Sequence, residues 1–232
     1  MPSLPAVHPL APRFAQAITG ALCLEAIAFG APAAVVVALV LVLLALAGPR
    51  WSPVGWVFRR IAPPPGELEP AAPVRFSQVL AAVFMSAGLV LLAVGWDLAG
   101  WIVIGMVAAL ALVSAISGFC IGCEVYRLLL SARRGGGEGD VRGDLGLTGP
   151  GPWLVVLTAP GCARCEPVAR ALQSAAGERE VVRVSLAEHP RAAALPVRSV
   201  PAAMVVGSDG RLRVARAGRL GSPEFDQVLA AL

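Results

Sequence analysis

Four of the five cysteines in this 232-residue chain fall into two Cys-x-x-Cys pairs, Cys120-Ile121-Gly122-Cys123 and Cys162-Ala163-Arg164-Cys165; Cys23 is the fifth. Paired thiols at this spacing suit thiol–disulfide exchange. One thiolate attacks a disulfide sulfur, and its neighbour resolves the mixed disulfide that forms. Two such pairs in one chain suggest that electrons pass between them. Two unrelated pairs, one structural and one redox, are the plainer alternative. A zinc site built from both pairs is disfavoured. The about 38 intervening residues exceed zinc-ribbon spacing, and one pair closes an apolar stretch.

The second pair sits in a segment of ordinary polarity. Apolar, β-rich runs at residues 153–158, 181–186, 202–206 and 212–215 read as strands, the last two around the hairpin signal Gly207-Ser208-Asp209-Gly210. Residues 162–176 read as a helix with Val168, Ala169 and Leu172 on its apolar face. Residues 189–195 form a short helix, and Ser222-Pro223 opens a closing one. Cys162 then lies at a helix N-terminus, where free N–H groups and the helix dipole favour a thiolate, and Arg164 adds positive charge. Cys165 follows one turn later and is the resolving thiol.

Ala159-Pro160-Gly161-Cys162-Ala163-Arg164-Cys165, with Ser199-Val200-Pro201 about 36 residues on and this order of elements, resembles the thioredoxin superfamily over about residues 150–232. The resemblance implies a compact α/β fold, Cys162 as nucleophile and Cys165 as resolving thiol. It also implies Pro201 as a cis-proline that presents the Val200 backbone to an incoming peptide and keeps the dithiol free of metal. Gly161 stands where the family usually has an aromatic residue. Val156 stands where it often has a buried carboxylate, so water or Glu166 would have to move the proton of Cys165.

The first pair closes a different kind of segment. Residues 14–48 and 76–119 are nearly free of charge, and they divide into four spans: 14–30, 33–47, 76–95 and 101–119, the last continuing as helix to 130. Gly30-Ala31-Pro32 turns the chain between the first two. A single long span is the rival for that region. Trp51, Trp56, Trp96 and Trp101 flank the spans as an aromatic belt, and Trp56, Phe58, Arg59 and Arg60 suit an interfacial helix. Arg13, Arg50, Arg59, Arg60, Arg75, Arg127, Arg133 and Arg134 fall on one side, which predicts a multi-pass protein of the cell membrane with both termini cytoplasmic. Met1 to Pro12 show no signal-peptide pattern. On a helix from Trp101, Cys120 lies ~28 Å along, at the interface and near a helix C-terminus. That makes Cys120 and Cys123 the less acidic pair, or simply small packing residues beside Ser117, Gly118 and Gly122. Glu25 is an intramembrane carboxylate and a candidate for proton handling. Cys23 is a packing residue.

His8-Pro9, Pro12-Arg13-Phe14, Arg50-Trp51-Ser52-Pro53, Phe58-Arg59-Arg60 and Phe119-Cys120-Ile121-Gly122-Cys123-Glu124 with Tyr126 resemble the bacterial membrane family called domain of unknown function 4395, over about residues 5–130. That resemblance implies a small helical membrane domain with a hallmark Cys-x-x-Cys, and no activity.

The expected organisation is therefore a helical membrane domain over residues 1–130, a flexible Gly/Arg-rich linker over 131–150, and a thioredoxin-like domain over 151–232. The net charge of +4 comes from arginines scattered over loops, which disfavours nucleic acid as a partner. With no lysine, lysine Schiff-base mechanisms are excluded. The expected function is membrane-tethered thiol–disulfide exchange with a protein or small-molecule thiol or disulfide, needing no cofactor or metal. A quinone-coupled, disulfide-generating protein is the alternative, and a redox sensor or binding module a third.

Overall fold

The structure, a computed structural model, describes residues 6–63, 65–133 and 139–232. The chain divides into two compact units: Leu10–Pro63 with Val74–Val125, and Met1–Pro9 with Pro64–Pro73 and Tyr126–Leu232. Its elements begin with β1 (Ala6–Val7), α1 (Leu10–Phe29), α2 (Pro32–Ala47), α3 (Pro53–Ile61), β2 (Glu69–Pro70), α4 (Ala71–Ala93), α5 (Asp97–Ser117) and α6 (Ile121–Arg133).

In the helical unit, Gly30 at φ 61° ends α1, and Pro32 in the first turn starts α2. Ser52 caps α3, its Oγ accepting from the Gly55 N–H at 3.0 Å, and Arg59 and Arg60 sit in the last turn where the dipole favours cations. Cys23, Ala26, Val35, Ala38, Met85, Ile104 and Val107 form the shared core of α1, α2, α4 and α5. Glycine lets these helices approach closely: a Cβ on Gly20 would lie 2.7 Å from Leu112 Cγ, and one on Gly88 2.8 Å from Ile104 Cγ1. Helices α4 and α5 are long and apolar enough to cross a membrane; α2 is apolar but only 16 residues long. Val83, Val90, Ile102 and Ile116 face outward from α4 and α5, Ile116 with 83% exposure.

One expectation fails here. The helix from residue 101 does not run on to 130. Ser117 ends α5, and Gly118 takes the left-handed conformation at φ 72°, its N–H bonding the Ser114 carbonyl at 2.9 Å. The Ser117 hydroxyl reinforces the break, donating to Val113 O at 2.7 Å and accepting from the Phe119 N–H at 3.0 Å. A new helix, α6, then begins at Ile121.

The second unit continues with α7 (Arg142–Leu145), β3 (Trp153–Thr158), α8 (Cys165–Ala176), β4 (Val181–Ser185), a 3₁₀ turn (Pro190–Ala194), β5 (Ala202–Val206), β6 (Leu212–Ala217) and α9 (Ser222–Leu229). The sheet order is β4-β3-β5-β6, with β3 and β4 parallel and the other pairs antiparallel. Val156 stands opposite Arg183 on β4 and Ala203 on β5. Both central strands are near-continuous apolar runs because both sheet faces are covered. Strand alternation sends Val155, Leu157, Met204 and Val206 to one core with Leu186 and Leu195. It sends Leu154, Val156, Ala203 and Val205 to the other, with Leu172 of α8 and Val228 of α9.

The linker expected over residues 131–150 is shorter at both ends. Helix α6 runs to Arg133, and Val141, Leu145 and Leu147 are buried in the first of these cores. The Val141 N–H donates to Gly210 O at 2.9 Å, so three apolar residues tie this stretch to the sheet. Residues 134–138 of the expected linker lie outside the described residues. The unit also takes in Pro64–Pro73, which the sequence placed with the helices: β2 pairs antiparallel with β1, Ala6 opposite Pro70 and Val7 opposite Glu69.

Candidate functional site

Strand β3 ends at Thr158 and delivers the chain to a tight turn at Ala159-Pro160-Gly161. Gly161 has φ 81°, a conformation that favours glycine. The Cys162 N–H bonds Ala159 O, and the Cys165 N–H bonds Cys162 O, each at 3.3 Å. Helix α8 therefore starts at Cys165, one turn later than the sequence suggested, and Cys162 lies in the turn that leads into it. The two cysteines form a disulfide with Cα atoms 5.5 Å apart. Cys162 is half-buried, whereas Cys165 is 5% exposed at the start of the helix. The Val200–Pro201 bond is cis, and Cys162 Sγ lies 3.9 Å from Val200 O. The outer sulfur, the inner sulfur and the Val200–Pro201 turn thus meet at one end of the sheet.

The proton-handling candidates are Glu166, in the first turn of α8, and Glu25. The Glu166 carboxylate is held by Arg183 Nη1 at 2.7 Å and Arg170 Nε at 3.6 Å. Val156 is fully buried among apolar neighbours. Glu25 is exposed on α1, nine residues beyond Gln16, or ~14 Å along the helix. Cys23 is buried with its thiol 3.9 Å from Met85 Sδ, as a packing residue would be.

A segment that the sequence reading passed over completes the surroundings of Cys162. The Leu68 N–H donates to Val200 O at 3.0 Å, and the Val200 N–H donates to Leu68 O at 2.8 Å. Leu68 is 6% exposed, in one apolar cluster with Cys165, Val200 and Ala202, and Cys162 packs against that cluster. Glu67 Oε1 pairs with Arg164 Nη1 at 3.1 Å. The available sequence signal was local only: Glu69-Pro70 biases the backbone to an extended conformation.

The other dithiol corrects an expectation. Because α5 stops at Gly118, Cys120 lies not near a helix C-terminus but at the N-terminus of α6. Its carbonyl accepts the first helical bond, from Glu124 N–H at 3.1 Å. Its Sγ accepts from the Cys123 N–H at 3.4 Å and from Gln16 Nε2 at 3.6 Å. Cys120 thus acts as a sulfur N-cap, with Cys123 at the third helical position. The Cys123 side chain holds the Cys120 thiol down at about 5, against the raising effect of burial, with the Cys123 N–H and the Gln16 amide adding to it. Neither thiol is in a disulfide, and both are half-buried. Ser77 lies alongside, its hydroxyl donating to Val74 O at 2.8 Å. A cavity of about 120 Å³ opens beside Cys120, lined by Gln16, Ser77, Phe84, Val107 and Leu110 among others. Among the described residues, no three His, Cys, Asp or Glu side chains come together to hold a metal ion.

Neither a curated protein nor a solved structure matches the chain. A family model described as Domain of unknown function (DUF4395) matches residues 7–131, more than half of the 232 residues, and ends within α6. This match takes in α1 to α5, the break at Gly118 and the Cys120/Cys123 pair, and the chain belongs to the DUF4395 family.

Proposed function

We propose that the protein is a membrane-tethered, thioredoxin-like thiol–disulfide oxidoreductase. The observation that carries the reading is the placement of Cys162-x-x-Cys165 between β3 and α8, with Cys162 Sγ 3.9 Å from the carbonyl before Pro201. The strand order β4-β3-β5-β6, with one parallel pair and two antiparallel pairs beside the dithiol, supports a thioredoxin-like fold.

In the reductive direction the Cys162 thiolate attacks one sulfur of a substrate disulfide. A Cys162–substrate bond forms, and the first substrate thiolate leaves. The Cys165 thiolate then attacks Cys162 Sγ, forming the intramolecular disulfide and releasing the second substrate thiolate. Two electrons pass from protein to substrate, and the two protons lost by the cysteines go to the departing thiolates. The Cys162–Cys165 disulfide is the product of that sequence. Run backwards, the same steps oxidise a substrate dithiol. Cys120 and Cys123 carry the same two-electron chemistry, and exchange between the dithiols would connect the two halves of the chain.

Helices α1, α2, α4 and α5 supply four spans in this reading, of which α4 and α5 are both long and apolar enough to cross a membrane. The arginine distribution directs both termini to the cytoplasm. The quinone-coupled alternative draws on one observation: the largely apolar cavity beside Cys120 would admit a small apolar oxidant.

Cys165→Ser tests the proposal. Without a resolving thiol, Cys162 should accumulate in a mixed disulfide with substrate or with Cys120 or Cys123, found by non-reducing peptide mapping. If Cys162 is trapped with nothing at any redox poise, the oxidoreductase reading fails.

A further inference from the structure

The edge of Val200 beside the soluble dithiol is occupied by the chain's own residues. Both main-chain groups of Val200 are taken by Leu68, at 2.8 and 3.0 Å, in an antiparallel bridge. The next residues, Glu69–Pro70, continue as β2 against β1, so the segment is extended and held on both sides. Two side chains fix its register. Leu68 is buried in the cluster that contains Cys165 and Val200. Glu67 pairs with Arg164, which lies within the Cys-x-x-Cys itself. Arg164 also lies over Gly66, where a Cβ would approach its Cδ to 3.2 Å. The second carboxylate oxygen of Glu67 lies against Gly218, where a Cβ would come within 3.2 Å.

Main-chain bonds of this kind accept any sequence, and selectivity comes from the side-chain sites beside them. Here those sites are a guanidinium for an acidic residue and a buried apolar pocket for the residue after it. Cys162 Sγ is 3.9 Å from the carbonyl that Leu68 binds, so a polypeptide in this position has its backbone beside the reactive sulfur. We infer that the Val200 edge is a groove for an extended polypeptide bearing an acidic residue followed by an apolar one, and that Glu67–Leu68 is a built-in occupant which a substrate must displace. The inference rests on the oxidoreductase reading and specifies its substrate class. Because the occupant is tethered, its effective concentration is on the order of millimolar, and free substrates compete poorly with it.

The test uses the full chain in detergent, recycled with dithiothreitol, on two fluorogenic mixed-disulfide peptides that differ only in Glu-Leu or Arg-Leu before the cysteine. A Cys162→Ser control gives the background. The wild type should favour the Glu-Leu peptide by about fivefold in kcat/KM, the scale of one partly exposed ion pair. Glu67→Arg places like charges together, ejects the occupant, and should raise turnover of the Glu-Leu peptide about tenfold. Arg164→Glu should invert the preference. The double variant, Glu67→Arg with Arg164→Glu, restores the pair, and should return turnover to the slow wild-type level while keeping the inverted preference. Equal turnover of both peptides by wild type and Arg164→Glu, or no acceleration in Glu67→Arg, overturns the inference while leaving the oxidoreductase intact. No Cys162-dependent turnover of either peptide in any variant removes the oxidoreductase reading, and the inference with it.

Discussion

In the reduced protein, alkylation of Cys120 by iodoacetamide should follow a titration with its midpoint near pH 5. The ordinary thiol value is 9.0, and the site lowers it to about 5. The largest cause is the Cys123 side chain, opposed by burial and assisted by the Cys123 N–H at 3.4 Å and the Gln16 amide at 3.6 Å. At pH 7 such a shift changes the thiolate fraction on the order of a hundredfold. The rate itself is a poor readout, because intrinsic nucleophilicity falls as acidity rises, by about 0.4–0.5 log units per pKa unit. The two effects nearly cancel at neutral pH, and only the position of the pH profile separates them. Cys123→Ala removes the hydrogen-bonding thiol, and the midpoint should rise by about two units; Gln16→Leu should raise it less. The sign carries over to stability. A depressed thiol pKa stabilises the folded state fully above 9.0, and that contribution is lost as pH falls through about 5. Mass spectrometry of labelled peptides, with helix content followed in parallel, gives the answer. A wild-type midpoint above pH 8, or no response to Cys123→Ala, would refute the Cys123 side chain as the main source of acidity.

Gly122→Ala would bring a Cβ to 2.7 Å from Ser77 Cβ, so the start of α6 must move away from α4. We expect about 1–3 kcal/mol of destabilisation in chemical denaturation and a rise in the Cys120 midpoint. Leu172→Ala empties a fully buried position between α8 and the sheet and should cost about 2–5 kcal/mol, read as a lower thermal midpoint of the sheet-containing unit. A reporter fused after Leu232 should be active only as a cytoplasmic reporter; activity of an exported-only reporter would overturn the inward orientation.

Much of the local structure was legible because its causes are local. Gly30-Ala31-Pro32 turns the chain since proline starts a helix and glycine ends one. The apolar runs at Trp153–Thr158 and Ala202–Val206 are strands buried on both faces, and Gly207 to Gly210 closes a hairpin between β5 and β6. The division into a helical part with spanning-length helices and a sheet-containing part followed from charge density alone. Three features were decided by tertiary structure. The break at Gly118 interrupts an apolar run whose periodicity gives no warning, and Arg13 of α1 packs where a Cβ at that position would stand. That break turns Cys120 from a C-terminal residue into an N-cap whose thiol the Cys123 side chain holds below its ordinary value. Val141, Leu145 and Leu147 are too few to announce an element, yet each finds a place in the sheet's core. Leu68 meets Val200 across a long stretch of chain, through backbone groups that every residue carries. Side-chain patterns record which face of an element is buried, but main-chain pairing between distant segments leaves no such record, so the occupant of the Cys162 groove exists only in the folded chain.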